Sequence, residues 1–362
     1  MRTPWQSFRL DLERAPVRLW SALGRLEAFG ETLAQLPAAP GTAAALAADW
    51  RNRAATGAFA AEAAECGVSA VDPEVAAVVA ALYEQVDQNS TSNAPEDRTS
   101  LTPQILCADN AALTEIAQAA GLFGSDHADA SLADQFAEGP ASWGKLNQYC
   151  SWLNGPEFTP QPDETVQTAA LQALGAHMFL LRLSPFTHCN EATARLAGYR
   201  VLRAAGLPPM AAHLPAAHFA ATNDAYRDLI DEAAETGGAT FAFVAYAVNG
   251  IADGMRDQIA ALGTAQQSNA WRDTIMESFD GRARAGDQRR RMLIEALSDG
   301  DAPVRIGQLR YLTPKLAEAY AGKSEKTLSR DVRWLEEQGL VRRTLQGVDA
   351  LRDTQPVSQH AA

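Results

Sequence analysis

Apolar residues recur at helical spacing along most of this 362-residue chain, and runs that alternate like a β-strand are scarce. The segment that begins at Asp72 shows the pattern. Asp72 suits the N-cap position, Pro73 suits the first turn, and apolar residues follow at spacings of three and four. Alanine is abundant throughout, which favours helices further. The sequence therefore predicts a mainly α protein.

Polar stretches divide the chain into three predicted parts. Residues 88–100 are rich in turn-forming residues, so they separate an N-terminal helical region, 1–100, from a central helical domain, 101–265. A second polar segment, from about 264 to 288, leads to a C-terminal module at 285–352. The chain length agrees with two or three domains, and 47% hydrophobic residues is enough for packed cores.

The sequence lacks the features of membrane, secreted and zinc-binding proteins. No apolar run reaches the roughly 18 residues of a membrane span, and the N-terminus lacks the apolar segment of a signal peptide. The four cysteines form no CxxC pair, and the six histidines do not cluster with them at zinc spacing. We expect reduced thiols, no metal site, no membrane partner and a cytoplasmic protein.

Charge is distributed unevenly along the chain. The net charge is −13, yet residues 282–352 contain 15 Lys and Arg against 10 Asp and Glu, a local excess of +5. The rest of the chain therefore carries −18. An acidic body joined to a basic module predicts that any nucleic-acid contact lies at the C-terminal end, and ordinary variation in surface charge is the alternative.

The C-terminal module has the pattern of a winged helix-turn-helix. A second helix ends at Gly322, a third begins at Ser324, and two short strands follow around a turn at Gly347. In such a module the third helix enters the major groove and the hairpin meets phosphates. The core face of the third helix is predicted from residues at i, i+4 and i+7, which are Leu328, Val332 and Leu335.

The opposite face of that helix and the hairpin supply the predicted DNA contacts. These residues are Lys326, Thr327, Arg330 and Arg333 on the helix, and Arg342 and Arg343 on the hairpin. Glu325 and Asp331 lie on the same helix and are expected to oppose phosphate binding. DNA is the expected partner. The alternative is a protein-interaction or dimerisation unit, which leaves a protein partner or a homo-oligomer open.

The central domain contains the segment SPFTHCNEATAR, residues 184–195, between two predicted helices. It resembles the signature of the Fic family of nucleotide transferases: His-Pro-Phe, any residue, an acid, Gly-Asn-Gly-Arg, two residues, Arg. The resemblance extends over roughly residues 101–262 and implies a Fic-like helical core, to which a winged helix is often joined. The matching residues are Pro185, Phe186, Asn190 and Arg195.

The residues on which the family chemistry depends are replaced. The resemblance implies a general-base histidine at Ser184, a Mg²⁺-binding acid at His188 and a phosphate-binding arginine at Ala192. A serine hydroxyl needs its own base, and Mg²⁺ prefers oxygen ligands. Cys189 and Glu191 fill the two glycine positions. We therefore expect a catalytically degenerate domain. The alternative is an atypical AMP or nucleotide transferase, for which ATP and Mg²⁺ would be the cofactors.

Asn190 and Arg195 remain as candidate ligand-binding residues. Asn190 either donates to an anion at the N-terminus of the following helix or caps the loop. The resemblance also implies an inhibitory glutamate that pairs with the second arginine. Glu65 fits that role, so a Glu65–Arg195 ion pair is one hypothesis and two unrelated surface charges are the other. The expected function is a DNA-binding transcriptional regulator, with a non-catalytic protein-interaction module as a further alternative.

Overall fold

The chain is mainly α-helical, and the strands of its described part form one two-stranded antiparallel hairpin. This confirms the predicted fold class. The chain divides into two units, Met1–Leu262 and Gly263–Ala362. The structure is a computed structural model that describes residues 15–65, 72–92, 101–122, 135–161, 163–235, 240–300 and 302–352.

Helices make up the first unit, and their boundaries follow local capping signals. Glu74 donates its backbone N–H to Asp72 Oδ1 at 2.8 Å, which confirms Asp72 as the cap of the helix at Pro73. In chain order the helices are α1 (Val17–Gln35), α2 (Pro40–Thr56), α3 (Ala60–Glu65), α4 (Pro73–Ser92), α5 (Pro103–Ala119), α6 (Pro140–Leu153), α7 (Thr165–Leu183), α8 (Asn190–Ala204), α9 (Pro209–Ala212), α10 (Leu214–Ala221), α11 (Asn223–Glu235) and the first part of α12 (Thr240–Ser278).

The helices α7 and α8 form the centre of this unit. Both are buried on most of their surface, although α8 contains several polar residues. A methyl group at Gly198 would lie 3.3 Å from the Ala173 carbonyl oxygen, so the glycine allows α8 to approach α7 closely. The loop between these two helices is the segment that the sequence analysis singled out, and it is therefore held at both ends by a packed core.

Buried charges tie the N-terminal helices to α8. Arg200 donates two hydrogen bonds of 2.7 Å to Asp109 on α5. Asp87 on α4 accepts from Arg203 Nε at 2.6 Å and from the Tyr199 hydroxyl at 2.5 Å. Because buried charges require such partners, these contacts hold α4, α5 and α8 in one arrangement. Helices from both the 1–100 region and the 101–265 region thus share one hydrophobic core.

The second unit begins within α12. This helix continues to Ser278, through part of the segment that the sequence analysis treated as a polar connection. Trp271 and Ile275 lie four residues apart and are buried in the core of the second unit together with Phe279. A narrow apolar stripe on a largely polar helix explains the difference, because the average polarity of the segment concealed it.

A short helical cluster and a hairpin complete the second unit. Leu328, Val332 and Leu335 are each 1% exposed, which confirms their predicted burial. The hairpin folds back so closely that a side chain at Gly347 would lie 2.5 Å from the Val304 carbonyl. The elements are α13 (Ala285–Ser298), a 3₁₀ helix (Ile306–Tyr311), α14 (Pro314–Ala319), α15 (Glu325–Glu337), β1 (Val341–Arg343) and β2 (Val348–Ala350).

Candidate functional site

The loop between α7 and α8 changes direction at two residues in the left-handed backbone region. Ser184 has φ 40° and Cys189 has φ 56°, values that are uncommon for residues with a side chain. Ser184 ends α7 by donating its N–H to the Leu180 carbonyl at 2.9 Å. The cost of both conformations must be met by the contacts that hold the loop.

Asn190 supplies one set of those contacts. Its Nδ2 donates to the Phe186 carbonyl at 2.7 Å, and its Oδ1 accepts from the Phe186 N–H at 3.1 Å. The Asn190 amide therefore bonds to both backbone polar groups of Phe186 and fixes the loop at that residue. These are the contacts expected of a loop cap, whereas an anion-binding role would require the Nδ2 donor to be released from Phe186.

A second segment pairs with the loop along its backbone. Ala137 donates its N–H to the Pro185 carbonyl at 3.1 Å, and Thr187 donates to the Gln135 carbonyl at 2.9 Å. Phe136 and Phe186 form the antiparallel bridge between these bonds, and their rings stack with centroids 6.0 Å apart. The loop is thus bordered on one side by a short piece of paired strand.

Three polar side chains missed by the sequence analysis complete the support of the loop. Asn110 Nδ2 donates to the His188 carbonyl at 2.8 Å and to Thr193 Oγ1 at 3.1 Å. Thr193 Oγ1 donates to the Cys189 carbonyl at 2.7 Å, and Gln135 Nε2 donates to Asn110 Oδ1 at 3.2 Å. Asn110 lies between apolar residues at helical spacing on α5. A lone amide on an apolar face was the signal that could have revealed it.

The three positions at which the loop differs from the Fic signature have ordinary local surroundings. Ser184 is exposed, and its Oγ donates to the Leu181 carbonyl at 3.1 Å. His188 is half-buried, and its carbonyl accepts the bond from Asn110. Ala192 is 2% exposed and belongs to the core. Ser184 and His188 share the loop, but Ala192 has no polar group with which to bind a phosphate.

Arg195 is enclosed in the protein. Its guanidinium is fully buried, donates to Glu191 Oε1 at 2.6 Å, and lies over the Tyr226 ring at 5.2 Å. Glu191 Oε2 also lies 3.6 Å from Arg227. The cavity beside Arg195 has a volume of about 10 Å³, which leaves space for at most one water molecule.

The predicted partner of Arg195 lies in a part of the chain for which side chains are not described. Glu65 ends α3, and its side chain lies outside the described residues. The Glu65–Arg195 ion pair therefore stays a prediction. The N-terminal region does reach this arginine elsewhere, since a methyl group at Gly57 would lie 3.0 Å from Arg195 Nη1.

Two buried histidines near these helices act as neutral aromatic residues. His177 Nε2 is 2.8 Å from the Tyr226 hydroxyl, and desolvation by burial, assisted by the charge on Arg195, lowers the His177 pKa to about 3. Burial likewise lowers the pKa of His213 to about 3, and its ring stacks on Tyr199 with centroids 4.3 Å apart. These environments fit structural roles, as the sequence analysis expected for His177.

The basic face of α15 differs from the surroundings of Arg195, because its cations are exposed to solvent. Lys326, Arg330 and Arg333 are exposed, and within the described residues none of them forms an ion pair. Thr327 is half-buried. We call the residues Lys326, Thr327, Arg330 and Arg333 the outer face of α15.

The hairpin arginines differ from the cations on the outer face of α15, because each of them forms an ion pair. Arg342 lies 3.1 Å from Asp349, and Arg343 lies 3.0 Å from Glu336. Both pairs lie at the surface, so each contributes little and can exchange its partner for another anion. The hairpin tip carries Leu345, whose side chain is fully exposed.

Asp331 does not face solvent, contrary to the expectation that it would oppose phosphate binding. It is 1% exposed and accepts from Arg289 Nε at 2.8 Å and Arg290 Nε at 2.9 Å. The Tyr320 hydroxyl donates to it at 3.1 Å. The helical spacing places Asp331 toward α13, so two guanidinium groups neutralise its charge. Glu325 is exposed, as expected.

The chain matches no protein-family model, and no curated protein matches it either. Among the described residues, no group of three or more His, Cys, Asp or Glu side chains is arranged to hold a metal ion. In the same residues, every helix is too short or too polar to cross a membrane.

Proposed function

We propose that this protein is a DNA-binding regulator. In this proposal the second unit is a winged helix-turn-helix, and the first unit contains a catalytically degenerate Fic-like domain. The observation that carries the proposal is the outer face of α15, where Lys326, Arg330 and Arg333 are exposed together on the side of the helix opposite its buried leucines.

The order of elements in the second unit supports the DNA-binding part. Three helices precede a hairpin that carries Arg342 and Arg343, so one helix and one basic hairpin are available for groove and phosphate contacts. The burial of Asp331 strengthens the argument, because its negative charge is neutralised by Arg289 and Arg290 away from the outer face of α15. Exposed cations of this kind bind phosphates by releasing counterions.

The surroundings of the α7–α8 loop support the degenerate part of the proposal. Mg²⁺ and ATP do not fit the residues present, because an imidazole and an alanine methyl stand at the positions of the acid and the first arginine. The remaining arginine, Arg195, is held by Glu191 in a buried ion pair, and Asn190 uses its amide to close the loop. A serine without a base cannot accept the proton of a target hydroxyl.

DNA binding is tested by fluorescence anisotropy with a labelled duplex of mixed sequence, measured over a series of salt concentrations. We expect Arg330→Gln combined with Arg333→Gln to weaken binding. The slope of log affinity against log salt should fall by about 2, since each phosphate contact contributes about 0.9. A matched control is Arg18→Gln with Arg25→Gln on α1, which removes the same charge from exposed positions of the first unit.

The result distinguishes DNA binding from protein interaction as the function of the second unit. An equal loss of affinity in both variants would mean that only the net charge of the protein matters. Unchanged affinity in both would mean that α15 does not bind the duplex. If the unmodified protein binds no duplex even at low salt, the result would favour the alternative that the second unit contacts another protein.

The degenerate loop is tested by incubation with labelled ATP and either Mg²⁺ or Mn²⁺ in cell lysate. We expect no labelled protein. Label that disappears in Ser184→Ala or His188→Ala would establish an atypical nucleotide transferase and overturn this part of the proposal. This labelling experiment is independent of the DNA-binding measurement, because it concerns residues of the first unit alone.

A further inference from the structure

A cleft in the first unit lies apart from the α7–α8 loop. It has a volume of about 400 Å³ and is bounded by α2, α10 and α12. Its inner surface is made of small residues, among them Ala217, Ala221, Gly250 and Gly254. A cleft of this size accommodates a small organic molecule, whereas the cavity beside Arg195 does not.

Two glycines of α12 in the wall of the cleft let α10 pack directly against this helix. A methyl group at Gly250 would lie 2.3 Å from the His218 ring, and one at Gly254 would lie 2.4 Å from Leu214. Close packing of α10 against α12 therefore depends on these glycines. Ala217, Ala220 and Ala221 on α10 make the wall beside this contact apolar, and Trp50 on α2 supplies an aromatic wall.

A polar atom in the wall of this cleft lacks a protein partner. His218 lines the cleft, and its Nε2 is buried without a hydrogen bond to any described protein atom. This nitrogen is closed to solvent where the ring lies against Gly250, so a ligand in the cleft packs against His218 without bonding to Nε2. The other charged and polar groups around the ring are Asp253 on α12 and the hydroxyls of Thr222 and Tyr246, which bond to each other.

The rim of the cleft has an excess of negative charge. Asp253 and Asp257 lie one helical turn apart on α12 and are more than half exposed. They share Arg256, at 2.9 Å and 3.4 Å respectively. On the opposite wall, Arg53 is already paired with Asp49 at 2.7 Å and lies over the Trp50 ring at 4.6 Å. Two carboxylates and one guanidinium therefore line the cleft, and this excess of negative charge favours a cationic ligand.

We propose that this cleft binds a small organic amine with a flat apolar body. The ammonium group lies between Asp253 and Asp257, and the body covers Ala217 and Gly254 against Trp50. Charge-assisted hydrogen bonds fix the head group, and burial of the apolar body supplies the remaining affinity. The site does not depend on DNA binding by the second unit.

Isothermal titration calorimetry on the full chain tests the charge preference directly. The probe is tryptamine, compared with indole-3-propionate, which has the same ring and a carboxylate in place of the amine. We expect saturable binding of tryptamine and none of indole-3-propionate. Absence of saturable tryptamine binding up to its solubility limit, or equal binding of both compounds, would overturn the proposal.

Two double variants locate the site. Asp253→Asn with Asp257→Asn should weaken tryptamine binding by about tenfold to a hundredfold, the range expected for hydrogen bonds to charged groups. The matched control, Asp224→Asn with Asp228→Asn, removes two exposed carboxylates one turn apart on α11 and should leave affinity unchanged. Equal weakening in both variants would place tryptamine outside this cleft. Hydrogen exchange should show protection in residues 50–56, 214–221 and 250–257.

Discussion

Arg195 in the first unit and Arg330 in the second are both arginines that the sequence marks as candidates for phosphate contact, yet their surroundings differ. Arg195 is fully buried, and its charge is balanced by Glu191 at 2.6 Å. Arg330 is exposed on α15 and has no ion pair within the described residues. A guanidinium that already has a buried carboxylate cannot serve a ligand without losing that partner. A match to a sequence signature, as at Arg195, therefore predicts phosphate binding less well than the exposure of the guanidinium does.

The same contrast extends to titratable groups. The first unit buries His177 and His213 as neutral rings, and burial also lowers the pKa of His218. The described residues of the second unit, 263–300 and 302–352, contain no histidine. Their buried charge is instead the Asp331 cluster with its two arginines. The two units should therefore respond differently to acid and to substitution.

The largest expected difference is acid sensitivity. The pKa of His177 and that of His213 fall from 6.5 in the unfolded chain to about 3 in the folded unit. Below pH 6.5 the unfolded chain binds protons that the folded unit excludes, so stability is lost as the pH falls from about 6.5 toward 3. Each histidine contributes up to about 1.4 kcal/mol per pH unit. Hydrogen exchange of the full chain at pH values across this range should show first-unit peptides losing protection before second-unit peptides.

A single substitution sharpens this test. His213→Phe keeps an aromatic ring against Tyr199 and Tyr83 but cannot take up a proton. The pH dependence of the first unit's unfolding free energy should then decrease by about 1.4 kcal/mol per pH unit. An unchanged slope would mean that His213 does not exclude protons in the folded state. Simultaneous loss of protection in both units would break the contrast between them.

The second prediction concerns the carboxylate on which the second unit depends. Asp331→Ala leaves Arg289 and Arg290 without their shared partner inside the protein, and should cost about 3–5 kcal/mol of unfolding free energy. The matched control is Glu295→Ala, which breaks an exposed i, i+4 pair with Arg291 at 2.7 Å and should cost about 0.3–0.5 kcal/mol. Urea denaturation followed by second-unit hydrogen exchange measures both. Similar costs for the two variants would mean that Asp331 is accessible to solvent.

Sequence reasoning succeeded where one local pattern decides the structure. The stripe of Leu328, Val332 and Leu335 predicted the buried face of α15, and Asp72 predicted the start of α4. It failed for Asp331, because a single acid on a polar helix face gives no sign of the two arginines that a different helix places beside it. Long-range pairing of this kind depends on tertiary packing.

The candidate site in the first unit shows the same limit. The sequence singled out the 184–195 loop, but it left open whether Asn190 binds an anion or caps the loop. It also overlooked Asn110, whose amide reaches the loop from α5, 78 residues earlier in the chain. No spacing rule connects such positions. The cleft between α2, α10 and α12 was missed for the same reason, since the three helices that form it are distant in sequence.

The smallest expected effects come from two glycines of α12 that lie in different units. Gly250→Ala in the first unit forces a methyl group to within 2.3 Å of the His218 ring and should destabilise by about 1–3 kcal/mol. Gly263→Ala, at the start of the second unit, meets no atom within 4 Å and should stabilise by about 0.5–1 kcal/mol, because alanine loses less conformational entropy in a helix. Thermal unfolding of both variants measures the difference. Opposite signs would show that α12 is held by close packing at Gly250 and by helix propensity at Gly263. Stabilisation by both would mean that His218 can move aside, and then Gly250→Ala would also reshape the cleft that we assign to an organic amine.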